Sequence, residues 1–225
     1  GARVKKTVDN TVTEYQWAGD LLLSEKTDGR IIWYCYDSQA NLISVTIRGI
    51  TYFYVRNVQG DIIALVDADG KVVVKYTYDS WGKVVAVTGE LADTVGVQNP
   101  FRYKGYYYDN ETGMYYLKSR YYDAEIKRFI CMDKYFMTNR GMNKSNMLVY
   151  CENNPINRVD MFGTCWYDAK GNWRHDNWEY KGNYKRQPNP AGKPNINITY
   201  KLNKTMRNNA EELRNYRKEN GYASA

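Results

Sequence analysis

The chain has 225 residues, a formal net charge of +7, and 23 Tyr and 6 Trp against only 5 Phe. Tyr suits a half-buried pleated surface and needs a partner for its hydroxyl, so this composition favours strands and argues against an oily helical bundle. No apolar run approaches the roughly 18 residues of a membrane helix, and no signal peptide is predicted at the start.

Three stretches of the first half repeat one another at intervals of about 20 residues. They begin at Tyr34, Tyr54 and Tyr76, and a degraded copy begins near Tyr15. Each copy has a Tyr-rich run, a polar joint and a second apolar run: YCYDSQANLISV, YVRNVQGDIIALV and YTYDSWGKVVAV. Asp or Asn binds the local backbone and Gly supplies positive φ in such joints, so each copy predicts a β-hairpin.

Hairpins of this kind are marginal alone and become stable when they stack side by side. Residues 1–98 are therefore predicted to form a coiled antiparallel sheet, with further turns at Asp28-Gly29 and Asp67–Gly70. Alternation in Tyr76 and Tyr78, and in Val85 and Val87, supports strands on both sides of the third joint. The fold class is mostly β, a ribbon that begins in mid-pattern and forms a wall or end plate of something larger.

Residues 99–163 are denser in Tyr and Arg, and the turn 109–113 is flanked by predicted strands at Tyr106–Tyr108 and Met114–Leu117. Guanidinium groups among tyrosines can stack on rings and donate to carbonyl oxygens. One interpretation is a nucleic-acid stacking platform. The favoured one is a plug sealed by Arg–Tyr stacking, because the first 163 residues carry a net charge of only +1. The plug residues are Arg102, Tyr106, Tyr107, Tyr108, Arg120 and Arg128.

Towards the end of this block, Asn153-Asn154-Pro155 predicts a turn after a short helix or strand that contains Met147 and Val149.

Residues 164–225 form a third segment, with 12 Lys and Arg against 6 Asp and Glu, a net charge of +6. It contains a Pro-rich linker at 187–194 and one predicted amphipathic helix at 201–219. A basic tail indicates nucleic acid, an acidic partner or simply a solvated segment.

The sequence contains no recognisable metal-binding or cofactor-binding motif. His175 is the only histidine, and the four cysteines form no Cys-x-x-Cys pair. Neither a metal site nor a cofactor is predicted.

Four stretches closely resemble the RHS repeat-associated core of bacterial RHS/YD-repeat proteins, over about residues 12–163: NVQGDIIALVDADGKVVVKYTYDSWG, NPFRYKGYYYDNETGMYYLKSRYYD, RFICMD and NMLVYCENNPINRVD. The resemblance implies a shell of β-hairpins around a hollow interior, closed by a plug and followed by a variable C-terminal cargo, typically a toxin used against competing bacteria. The implied partners are the rest of the shell, the toxin segment, an immunity protein and, for the basic tail, nucleic acid. The implied location is secreted or on the surface of a bacterium.

The same resemblance implies aspartyl self-cleavage by Asp133 and Asp160, next to Gly163-Thr164 or just beyond. The chemistry would be that of a carboxylate pair, in which one group stays protonated while the other activates water.

The sequence departs from the family's closing motif at several positions. Lys134 and Met161 stand where the motif has proline and Thr164 where it has leucine, while Ala124 and Lys127 replace a usual Pro and Gly. Lys134 favours the ionised form of its neighbour Asp133, which opposes a shared proton. The alternative is that both aspartates cap turns or pair with Arg158.

Two further hypotheses remain open. The Tyr-rich surface would suit a cell-wall carbohydrate, because aromatic faces stack on sugars. The basic tail would suit a nucleic-acid ligand, whose binding weakens steeply with salt.

Overall fold

The computed structural model describes residues 2–133, 146–164, 166–168 and 173–174. Its architecture is mostly β, as the repeat pattern predicts. Three short helical turns accompany the strands, a π-helical turn at Ala92–Gly96 and 3-10 turns at Tyr103–Gly105 and Cys151–Asn153. The strands are β1 (Lys5–Val8), β2 (Thr11–Ala18), β3 (Leu21–Thr27), β4 (Arg30–Tyr36), β5 (Leu42–Ile47), β6 (Ile50–Arg56), β7 (Ile62–Val66), β8 (Val72–Tyr78), β9 (Val84–Thr88), β10 (Tyr107–Asp109), β11 (Met114–Tyr116), β12 (Tyr121–Asp123), β13 (Arg128–Phe129), β14 (Arg158–Val159), β15 (Trp166–Asp168) and β16 (Trp173–Arg174).

The strands form three sheets in which sequence neighbours are also sheet neighbours. Strands β1 to β9 make a nine-stranded sheet in chain order, β10 to β13 a four-stranded sheet and β14 to β16 a three-stranded sheet. The pairings along the first six strands, between β8 and β9, and in both smaller sheets are antiparallel. This is the stacked-hairpin architecture that the repeats predict.

Four joints of the large sheet share one hydrogen-bond pattern. The side-chain oxygen of Asp37, Asn57, Asp67 or Asp79 accepts the N–H groups two and four residues further on, at 2.8–3.0 Å. The residue three places on has positive φ, and it is glycine in three of the four joints. The Asp or Asn that directly follows the first strand of each joint therefore encodes a side-chain-capped turn. The exception is Ala40, at φ 66°.

The alternation predicted around the third joint fails at one position. A β-bulge between Thr77 and Tyr78 shifts the register, so Tyr76 faces Val87 but Tyr78 faces Val84. Val85 is left 62% exposed. A bulge inserts an extra residue into the ladder, and the apolar pattern of the sequence contains no sign of it.

The described residues divide into two compact units. One contains residues 2–55 and 65–73, and it buries Leu22, Leu23 and Val45. The other contains residues 56–64 and those from 74 onward, with a core that is mostly tyrosine.

Several predicted elements are found with small shifts. The strands expected at Tyr106–Tyr108 and Met114–Leu117 are β10 and β11. The element expected before Asn153 is reduced to an isolated bridge between Arg128 and Val149, followed by the turn Cys151–Asn153. The predicted linker and helix of the third segment, His175 and Lys134 lie outside the described residues. No helix in the described part of the chain has the length and apolar content needed to cross a membrane.

Candidate functional site

The plug, residues 99–133 and 146–164, has a core of stacked aromatic rings. Tyr103, Tyr106, Tyr115, Tyr122 and Tyr150 are all buried in one cluster. The rings of Tyr122 and Tyr150 stack with centroids 4.0 Å apart, and the hydroxyls of Tyr106 and Tyr150 share a hydrogen bond of 3.0 Å. These rings bury large apolar area while each hydroxyl keeps a partner. Because they are buried, they offer no face to a sugar or a base.

Three of these tyrosines form hydrogen bonds with the joint between β8 and β9, and we call this arrangement the tyrosine clamp. Their hydroxyls donate to three consecutive carbonyl oxygens of that turn: Tyr103 to Ser80 at 3.1 Å, Tyr122 to Trp81 at 2.8 Å and Tyr115 to Gly82 at 2.6 Å. A Cβ on Gly82 would lie 2.4 Å from the ring of Tyr103. The plug therefore closes directly on the last hairpin of the large sheet.

Burial determines the ionisation of the clamp. Desolvation raises the pKa of Tyr103 and Tyr122, and raises that of Tyr115 well above its ordinary value, because a phenolate would lack water. The three hydroxyls therefore stay protonated, as hydrogen-bond donors must.

Arg102 is buried among tyrosine rings. Its side chain is 4% exposed, and its guanidinium carbon lies 4.3 Å from the ring centroid of Tyr108 and 5.5 Å from that of Tyr76. Its Nη2 donates to Asn110 Oδ1 at 2.8 Å. The buried Tyr107 in β10 packs edge-on against Phe101, with which it also forms an isolated antiparallel bridge.

Arg120 joins more parts of the plug than any other predicted residue. It lies in the corner between β11 and β12, 6% exposed, with its guanidinium carbon 3.6 Å from the ring centroid of Phe129. Nε donates to the carbonyl oxygen of Gly163, and Nη1 donates to that of Met147 at 3.0 Å. Nη2 lies 3.1 Å from Asp133 Oδ2 and 3.6 Å from Asp160 Oδ2.

Arg128 differs from the prediction, because its side chain is exposed and does not join the buried cluster. Successive side chains of a strand point to opposite faces, and its neighbour Phe129 takes the inward position in β13. Density of Arg and Tyr in the sequence cannot distinguish the two faces.

The exit hook, residues 160–164, is where the chain leaves the plug. Asp160 Oδ1 accepts the N–H groups of Phe162 at 3.3 Å and Thr164 at 3.0 Å, so this aspartate caps the turn. The backbone N–H of Asp160 donates to the hydroxyl of Tyr106 at 3.0 Å. Ser119 Oγ donates to the carbonyl oxygens of Phe162 at 2.6 Å and Gly163 at 2.8 Å.

Gly163 is required by both conformation and space. Its φ is +69°, and a Cβ would lie 2.7 Å from Ser119 Oγ and 3.0 Å from the carbonyl oxygen of Leu117. The hook therefore fits the corner of residues 117–120 only with glycine at this position.

The predicted site residues Asp133, Asp160, Gly163 and Thr164 thus converge. Arg120 contacts the first three, and Thr164 donates its N–H to Asp160. A guanidinium within ion-pair distance of two carboxylates offsets their mutual repulsion. Sequence reasoning missed Ser119, which is 44 residues from Gly163 along the chain. It also missed the clamp hydroxyls, since composition indicated only that tyrosines need partners.

The family model of the Teneurin YD-shell matches residues 23–156. The chain is 38% identical over 167 residues to the tRNA3(Ser)-specific nuclease WapA of Bacillus spizizenii, a match that covers 72% of the chain and 7% of that protein. It is 40% identical to the tRNA nuclease WapA of Bacillus subtilis over the same shares of both proteins. It is 33% identical to the double-stranded DNA deaminase toxin A of Burkholderia cenocepacia over 43% of the chain and 6% of that toxin.

Solved structures show the same fold. The chain matches the crystal structure of TcdB2-TccC3-Cdc42 with a TM-score of 0.55 and 18% identity, over 71% of this chain and 8% of that one. The Photorhabdus luminescens Tc holotoxin pore matches with a TM-score of 0.54 and 17% identity, again over 71% and 8%. The chain therefore spans less than a tenth of each of these three relatives and two solved structures. Its hairpin sheet and the extent of the family match agree, and the chain belongs to the YD-shell family.

Proposed function

We propose that this chain forms the closing end of a YD-repeat shell, which encloses a C-terminal toxin segment and presents it at a fixed exit. The observation that supports this most directly is the anchoring of the exit hook. Gly163 is held by Ser119 and Arg120 inside a plug whose clamp grips the last hairpin of the large sheet. The chain thus passes from the wall of the shell to the segment after Thr164 at one point, which these contacts hold in place.

The similar proteins bear names that agree with a toxin role, namely tRNA nucleases and a double-stranded DNA deaminase toxin. By analogy, the segment after the hook acts in competition between bacteria, is secreted or displayed at the cell surface, and is countered by an immunity protein. Its net charge of +6 suits a nucleic-acid target. No residue of the segment is assigned a catalytic role.

Enclosure is testable once further repeats precede this chain. In a fusion in which the repeat-bearing part of a WapA relative precedes residue 1, the segment after the hook is expected to resist protease until the shell is unfolded. A matched fusion with Gly82→Ala, in which Tyr103 would clash with the new Cβ, should lose this protection. Equal digestion of the segment in the fusion and as a free peptide would contradict enclosure.

Self-cleavage at or just after Thr164 is the second candidate function, and one observation favours it. Asp133 and Asp160 lie 3.1 Å and 3.6 Å from the same nitrogen of Arg120, and Asp160 also accepts the N–H of Thr164. Because the guanidinium favours the ionised form of both carboxylates, the reaction needs an acidic pH to protonate one of them. In the reaction, one carboxylate takes a proton from a water molecule while the oxygen of that water adds to the scissile carbonyl carbon. The C–N bond then breaks, and the other, protonated carboxyl group gives its proton to the departing amine.

Mass spectrometry of the purified chain at mildly acidic pH tests this candidate. Self-cleavage predicts a fragment that ends at Thr164 or within a residue of it, and predicts that Asp160→Asn and Asp133→Asn each stay intact. A chain that keeps its full mass over days, with wild-type aspartates and a folded plug, would remove the hypothesis.

A further inference from the structure

We propose that β14 is a docking strand, which holds the beginning of the segment after the hook through main-chain hydrogen bonds. The consequence is that this segment stays bound to the plug after the chain is cut at the hook. The inference goes beyond enclosure and does not rest on self-cleavage, because any protease that cuts at the hook creates the same two fragments.

The pairing of β14, β15 and β16 joins the segment after the hook to the plug. Arg158 lies opposite Asp168 and Val159 opposite Tyr167, so β15 is antiparallel to the last strand of the plug. On its other side β15 pairs with β16, with Tyr167 opposite Trp173. The first residues after the hook therefore form the central and outer strands of a sheet that starts in the plug.

The docking strand is itself fixed to the plug. Val159 packs against the tyrosine cluster, and the N–H of the next residue, Asp160, donates to Tyr106. Arg158 is held by an ion pair with Glu152, and its Nη1 lies 3.5 Å from the carbonyl oxygen of Cys151. A rigid strand loses little conformational freedom when it accepts a partner strand, which strengthens binding.

The hook is held independently of the strands that it connects. Its contacts with Ser119 and Arg120 involve residues up to Gly163, and the cap from Asp160 ends at Thr164. A cut just after Thr164 leaves the hook with the plug and leaves all of β15 in the other fragment. Neither the docking strand nor its partner loses residues.

Main-chain pairing also explains how one plug could hold unlike segments. Strand addition takes its affinity from backbone N–H and C=O groups. Every residue provides both groups except proline, which has no N–H. The family match ends at residue 156, before β14 begins, so the docking strand lies at the border between the shell and the segment after the hook.

The test uses the full chain with a specific protease recognition sequence inserted between Thr164 and Trp166, and an affinity tag after Ala225. After complete cutting, residues 1–164 are expected to stay with the tagged fragment through immobilisation and dilution. Tyr167→Ala and Asp168→Ala change the side chains but keep both backbone N–H groups, and they should bind as the parent does. Tyr167→Pro and Asp168→Pro each remove one N–H from the central strand. Because the N–H groups of successive strand residues face opposite neighbouring strands, one of the two faces β14, and that proline variant should weaken retention about tenfold or more relative to its alanine control.

Each outcome decides the question. The proposal would be overturned if the fragments of the parent chain separate while the near-UV circular dichroism of the tyrosines shows that the plug is still folded. Retention that survives both proline variants would also overturn it, because other parts of the segment would then provide the binding. Equal loss with alanine and proline would overturn it too, since the side chain and not the main chain would then be recognised. Enclosure would stand in all three cases, since the protease-protection experiment tests it separately.

Discussion

At the scale of single residues, the exit hook depends on the absence of one methyl group. Gly163 combines a left-handed backbone with contact distances to Ser119 and Leu117 that leave no room for a Cβ. Gly113 has almost the same φ, +71°, but its nearest neighbour would be Tyr108 Oη at an ordinary 3.6 Å. The two glycines therefore separate backbone strain from steric clash.

Gly163→Ala is expected to lower the free energy of unfolding by about 2–4 kcal/mol, from strain and overpacking together. Gly113→Ala, with strain alone, should lower it by about 1 kcal/mol. Urea unfolding of both variants checks the difference. Equal values for the two would show that the corner of residues 117–120 does not hold the hook closely.

At the scale of elements, the repeated joint is the unit that the sequence specifies best. Its capping residue and its glycine are both local, and four joints obey the same hydrogen-bond rule. The bulge before Tyr78 and the outward direction of Arg128 were not predictable, because both depend on which face of a strand meets the core. Local chemistry is readable from one sequence, whereas the choice of face is made by packing.

The joint that lacks glycine gives a prediction of its own. Ala40 occupies the left-handed position at φ 66°, which glycine adopts without steric cost. Ala40→Gly is expected to raise the free energy of unfolding by about 1 kcal/mol. The neighbouring exchange Ser38→Gly, at a position with no positive φ, should give no such gain. Thermal or urea unfolding measures both, and a destabilised Ala40→Gly would contradict the turn geometry.

At the scale of the whole molecule, the buried tyrosines make the free energy of unfolding fall at alkaline pH. Desolvation raises the pKa of Tyr106, Tyr115 and Tyr150 well above 10.0, and it raises that of the Cys151 thiol from 9.0 to about 12. In the unfolded chain these groups ionise near their ordinary values. Their contribution to stability is therefore complete below about pH 9 and is lost as the pH rises above that value.

We expect the free energy of unfolding to fall above about pH 10 by roughly 1.4 kcal/mol per pH unit for each buried tyrosine. Urea unfolding at a series of pH values checks the slope, and tyrosinate absorbance reports which phenols ionise. The matched variant Tyr106→Phe should show a shallower slope. A flat profile up to about pH 11 would mean that the cluster is open to solvent.

The contacts of residues 99–163 were only partly predictable from the sequence. Arg–Tyr density favoured a plug, which stays a prediction, and the resemblance singled out Asp133, Asp160 and Gly163. What the sequence could not reveal is that Arg120 joins all three, because those partners lie 13 to 43 residues away and meet only when the hook folds back. The alternative prediction was that both aspartates cap turns or pair with Arg158. Asp160 does cap a turn, and both aspartates pair with Arg120.

Arg120 holds the plug and the chain exit together, and one comparison of unfolding free energies tests this role. Arg120→Met leaves two carboxylates without their buried cation and should lower the free energy of unfolding by about 3–5 kcal/mol. Arg128→Met, on the exposed face of the four-stranded sheet, should change the free energy of unfolding by less than about 0.5 kcal/mol. Similar small values for both variants would show that Arg120 does not hold the exit.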